Sequence, residues 1–182
     1  TGNDSGARSL GATAYFTRLA QTMSCCLGGA TGEGDLYSID TRLRPDGDKG
    51  SFAPSLTRLS DYYQSEAWLW ERLALAKARL LTPGTSFAAA LQAMIAEALA
   101  RPVPTSEMAE ALHDMRGRLR AGYGDAPAWQ IRRHNGGIAE LDLLVQGLRL
   151  IHADLFHGGG QTAPQVLQGL ADAGRIRPEE AD

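Results

Sequence analysis

The chain has 182 residues, enough for one domain of ordinary size or one with an appendage, and long enough to bury a core without a disulfide or metal staple. Apolar residues make up 43% and charged residues 21%, which excludes disordered, collagen-like and coiled-coil composition. The 18 basic and 21 acidic residues leave a net charge of −3, which argues against a dominant polyanion-binding role and so against nucleic acid. Glycine is over-represented at 21 residues and unevenly placed: nine fall in 1–50, one in 51–100, six in 101–150 and five in 151–182. That distribution reads as a loop-rich start, a helical middle and a broken tail.

In chain order, residues 1–11 carry no core signal. Tyr15/Phe16, Leu19, Met23 and Leu27 recur at three and four and predict an amphipathic helix from Ala12, stopped by Gly28-Gly29. Residues 36–44 alternate as a strand, with Tyr37, Ile39, Thr41 and Leu43 on one face and Asp40, Arg42 and Arg44 on the other. Pro45-Asp46-Gly47-Asp48 is a turn, and residues 50–53 suggest a short second strand ended by Pro54. Helices are then predicted around Leu56–Tyr63, over Glu66–Leu81, Ser86–Ala100 and Glu107–Gly122, over Ile138–Phe156, and over Pro164–Ala173. Ile138, Leu141, Val145, Leu148 and Ile151/Leu155 are the expected inward stripe of the long helix, and Gly158-Gly159-Gly160 a flexible break.

Asp40 is the carboxylate of greatest interest. With Arg42 and Arg44 it either forms a surface ion-pair ladder or projects as a Mg²⁺ ligand beside two guanidiniums that grip phosphate. Arginine outnumbers lysine 16 to 2, which fits genome bias or anion recognition equally. Trp68, Trp70 and Glu71 share a helix and read as an interface brace. Asn135-Gly136-Gly137 at a helix start offers free amides for an anion. The four histidines show no metal-ligand spacing, and adjacent Cys25 and Cys26 read as core thiols in a reducing compartment. No apolar run approaches ~18 residues and the start lacks signal-peptide features, so no membrane association is expected and the expected location is cytoplasmic.

Several of these segments together resemble the bacterial glutamine synthetase adenylyltransferase family. They are Phe16–Gln21, Leu36–Pro45 with Gly50, Asp61–Gln64, Glu66-Ala67-Trp68-Leu69-Trp70-Glu71, Lys77-Ala78-Arg79, Met115-Arg116, and Asn135–Asp142 followed by Gln146. The Glu-Ala-Trp form is more similar to the family's C-terminal, adenylylating half. The resemblance implies a mainly α fold: a helical bundle with a small β remnant of a polymerase-beta-like nucleotidyltransferase domain. It divides the chain into the distal part of that domain (1–54), the bundle (55–157), and a flexible linker with a short tail helix (158–182). The implied reaction is transfer of AMP from ATP to a tyrosine of glutamine synthetase by two Mg²⁺ ions, with the PII signal protein as a possible second partner. Asp40 would be the catalytic, metal-binding carboxylate, with Arg42 and Arg44 near the triphosphate and Arg79 at the domain junction.

Residues 1–14 hold none of the family's Gly-Ser and Asp-x-Asp motif, Asp142 stands where the family usually has glutamate, and Arg132 where it often has lysine. The chain alone is therefore expected to transfer no AMP. Two alternatives are a degenerate, non-catalytic domain binding glutamine synthetase or PII, and a related PII uridylyltransferase, against which the Trp68-x-Trp70-Glu71 run speaks.

Overall fold

The computed structural model describes residues 11–29, 34, 39–81, 84–124, 127 and 129–180. The chain forms two compact units, Thr1–Glu66 and Ala67–Asp182. As expected it is mainly helical, with seven α-helices among the described residues.

The first unit contains α1 (Ala12–Gly28) and α2 (Leu56–Ser65). The side of α1 bearing Thr17, Ala20 and Ser24 is partly covered, whereas Tyr15, Phe16, Leu19, Met23 and Leu27 are between 44% and 56% exposed. α2 starts at Ser55, whose hydroxyl accepts from the Arg58 amide, and buries Tyr62 and Tyr63 edge to face at 5.7 Å.

The strand expected over Leu36–Arg44 is not found where the chain is described. Residues 35–38 lie outside the described residues, and from Ile39 the backbone is irregular. Asp40 Oδ1 accepts the amide of Arg42 at 3.0 Å, and the Arg44 amide donates to the Arg42 carbonyl at 2.9 Å, so local turns consume the groups a ladder would use. Residues 50–53 are likewise bends and coil, not a strand. Gly50 is required here, because a Cβ on it would stand 1.9 Å from the carbonyl oxygen of the buried Pro45.

The second unit packs α3 (Leu69–Leu75), α4 (Ser86–Ala100), α5 (Thr105–Tyr123), α6 (Ile138–Ile151) and α7 (Ala163–Asp172). α6 is central and touches α3, α5 and α7. The single helix expected over Glu66–Leu81 is shorter. The Glu71 carboxylate accepts the Trp68 amide at 2.8 Å and starts α3 there, and Gly160 N–H donates to the Ala76 carbonyl at 2.9 Å just past its end. The fully buried side chains Leu73, Leu99, Met108, Leu150 and Leu170 form the core, each worth about 1.5–3 kcal/mol of burial.

The inward face of α6 keeps Val145 of the expected stripe, which is buried, but differs from it elsewhere. Ile138 and Leu141 are each 46% exposed, while Leu143, Gly147 and Leu150 are buried. Gly147 is the reason: a Cβ there would come within 2.7 Å of Leu112 Cδ1 and 3.3 Å of Met108 Sδ, so the large residues of α5 nest where α6 has no side chain.

Candidate functional site

Two places carry functional side chains, one in each unit. In the first, Asp40 is gripped by Arg42, with Nε to Oδ1 at 2.9 Å and Nη2 to Oδ2 at 2.6 Å. The guanidinium holds the Asp40 carboxyl well below the usual carboxylate range. The pair is exposed, at 59% for Asp40 and 73% for Arg42. Arg44 does not join it. Its side chain is largely buried, with the guanidinium 5.0 Å over the Phe52 ring, one N–H bonded to the Thr41 carbonyl, and Asp48 at 3.8 Å. The neighbouring acids are engaged too, since Arg58 bonds both Asp46 and Glu66.

Asp40 and Arg42 are thus brought together as expected, and Arg44 braces the turn behind them. Among the described residues no three His, Cys, Asp or Glu side chains gather to hold a metal ion. Asp40, with both oxygens accepting from Arg42, offers one carboxylate, which does not by itself fit the near-octahedral demand of Mg²⁺.

In the second unit, α3, α5 and α6 enclose a groove lined by Trp70, Lys77, Arg118, Tyr123, Arg132 and Asp142, with Met115, Leu119 and Leu143 as its apolar floor. Lys77 Nζ bonds Asp142 Oδ2 at 2.8 Å and ties α3 to α6. Gln146 lies one turn further along α6. The wall is held by Glu140, whose carboxylate accepts from Arg120 at 2.8 Å and lies 3.2 Å from Arg116. Arg120 first, and Arg116 with it, lower the Glu140 pKa.

The anion pocket expected at Asn135-Gly136-Gly137 is not open. The amides of Gly137, Ile138 and Ala139 donate to the carbonyls of His134, Ile131 and Arg132 at 2.8–3.2 Å, and that of Gly136 to the Glu140 carboxylate. The preceding turn folds back and satisfies the start of α6.

Arg79 lies in the second unit, where it lines a separate cavity with Gln92, His157 and Gly158–Gly160. That glycine run is held in place: the Gly158 carbonyl accepts from Arg149, and Gly160 donates to Ala76. Arg149 is 1% exposed and has no carboxylate partner among the described residues. It bonds Gln161 at 3.1 Å, its Nη1 has no partner, and burial lowers its pKa.

Arg118 and Tyr123 carry no sequence signal as site residues. Lys77, Arg118 and Arg132 are far apart in the chain, and only the packing of α3 and α5 on α6 sets them round one groove.

Fold and sites define a mainly helical protein with a basic, aromatic-edged groove in one unit and an arginine-held carboxylate in the other. The family model for Glutamate-ammonia ligase adenylyltransferase matches residues 1–115. The chain is 36% identical over 162 residues to the bifunctional glutamine synthetase adenylyltransferase/adenylyl-removing enzyme of Bradyrhizobium sp. (strain BTAi1), covering 89% of this chain and 16% of that protein. It is 34% identical over 177 residues to the protein of the same name from Xanthobacter autotrophicus, covering 97% and 18%, and 33% identical over 169 residues to that of Agrobacterium fabrum, covering 91% and 17%. The chain therefore belongs to the glutamate-ammonia ligase adenylyltransferase family. It spans less than a fifth of the length of these curated relatives. No helix among the described residues is long and apolar enough to cross a membrane.

Proposed function

We propose that this chain is a segment of an enzyme that transfers AMP from ATP to a tyrosine of glutamine synthetase, and that it belongs to the C-terminal, adenylylating half. The observation that carries this reading is the family match over residues 1–115, which spans Asp40, together with relatives of 33–36% identity across most of the chain. The Glu66-Ala67-Trp68 form favours the adenylylating half. Glutamine synthetase enters as target through the relatives' names, and PII remains a second candidate partner by resemblance alone. The cytoplasm is the compartment such a reaction requires.

In this reading Asp40 is the residue of this chain that acts at the reacting centre. Arg42 holds its carboxyl well below the usual carboxylate range. When bound with other carboxylates, Mg²⁺ would supply charge neutralisation at the α-phosphate of the adenylyl group being transferred and at the departing pyrophosphate. The described residues do not complete that site, so the isolated chain should be inactive. The test is incorporation of labelled AMP into purified glutamine synthetase by this polypeptide alone. Incorporation at background supports the reading, and turnover above background overturns the claim that one carboxylate is insufficient.

A further inference from the structure

We propose that the groove between α3, α5 and α6 is a nucleotide-binding surface, taking phosphates on Arg118 and Arg132 and the base against Trp70. Both guanidiniums are exposed and line the groove, and neither side chain has a hydrogen bond or ion pair with any described residue. Lys77 is the third cation, and the acid of the lining, Asp142, is already bonded to it at 2.8 Å. Three cations against one carboxylate leave a local excess of positive charge on a chain whose net charge is −3. A single carboxylate ligand would satisfy one guanidinium. A polyphosphate offers oxygens to more than one guanidinium, each of which presents a planar fork matched to two phosphate oxygens.

The aromatic edge narrows the class further. Trp70 is 46% exposed at the groove, and Tyr123 carries the Arg133 guanidinium 5.6 Å from its ring centroid. An exposed indole beside unpaired cations suits a flat base joined to phosphates, since stacking is worth about 1–3 kcal/mol per base. The open amides that usually hold phosphate at a helix start are absent here, those at α6 being consumed by the preceding turn, so side chains have to supply the contacts. The inference rests on the transferase reading only for the choice of ATP as probe.

The experiment is calorimetric titration of the whole chain with ATP, tripolyphosphate and adenosine, in EDTA and at low salt, where exposed charges are least screened. ATP is expected to bind more tightly than either half. The double variant Arg118→Ala/Arg132→Ala should weaken ATP and tripolyphosphate by at least about tenfold. Trp70→Leu should weaken ATP and leave tripolyphosphate unchanged, and Arg177→Ala, paired with Glu180 in the C-terminal turn, should change neither. Circular dichroism of each variant reports that the helices persist. No ATP binding by the parent chain, or binding unchanged in the double variant, overturns the proposal. Equal affinity for ATP and tripolyphosphate, unmoved by Trp70→Leu, overturns the base contact. Because EDTA removes any metal-dependent reaction, failure here leaves the Asp40 reading standing, and failure of transfer leaves this binding result standing.

Discussion

A Cβ built on Gly137 would stand 2.1 Å from the carbonyl oxygen of Ile131, closer than any side chain tolerates. That approach lets the Ile131 and His134 carbonyls accept the first amides of α6, and the next residue back, Gly136, needs a positive φ of 78°. The glycine pair therefore serves the backbone, not an anion. Gly137→Ala should destabilise the chain by roughly 2–3 kcal/mol, since the obstacle is backbone and cannot rotate away. Thermal melting should show a fall of several degrees, and Gly136→Asn, which tolerates the left-handed region, should fall less than Gly136→Val.

Glu140 couples α5 to α6 through Arg120 and Arg116, and only 16% of its side chain is exposed. Its pKa is lowered in the folded chain, so its contribution is fully present above the ordinary carboxylate value of 4.5 and is lost as pH falls through the depressed folded value. Glu140→Gln should be less stable than the parent at pH 7. The gap should close as the pH is taken down into the acid range, where the parent loses the same interaction. Urea melts of both proteins across that range check the sign.

Arg149 is a buried cation with no carboxylate partner among the described residues, anchored by the Gly158 carbonyl and Gln161 and lying 5.9 Å from the Phe156 ring centroid. Truncation to alanine leaves a cavity and an orphaned carbonyl, for a loss of about 2–4 kcal/mol. Arg149→Met keeps most of the volume and removes a desolvated charge, so it should lose less. Limited proteolysis should cut Arg149→Ala near Gly158–Gly160 faster than the parent.

Asp40→Asn removes an exposed pair and should leave the melting temperature of this chain unchanged. A large fall in stability would assign Asp40 to the fold.

How far the sequence carries the structure depends on what each signal reports. Three-and-four spacing located α1, α4, α5 and α7 to within a few residues; α4, α5 and α7 bury large residues at that spacing, whereas those of α1 stay exposed. It placed Val145 of α6 correctly inside but not Ile138 and Leu141, and it missed the contact at Gly147, an absent side chain that periodicity counts as nothing. The Asp40–Arg42 pairing was legible, being two residues apart. Arg44 was not, because the bend at residues 43–44 takes it out of the alternation. The groove was illegible as geometry although Trp70, Lys77 and Asp142 lay in segments that carry the family resemblance. Its cations converge only through tertiary packing.

The most direct test places this chain in the relative it matches. In the bifunctional enzyme of Bradyrhizobium sp. (strain BTAi1), the matching segment is replaced by this sequence, and adenylylation of glutamine synthetase and removal of AMP are assayed separately, with and without Asp40→Asn. The account predicts that the chimera retains both activities and that Asp40→Asn abolishes adenylylation while sparing removal. Full adenylylation by the Asp40→Asn chimera would contradict it.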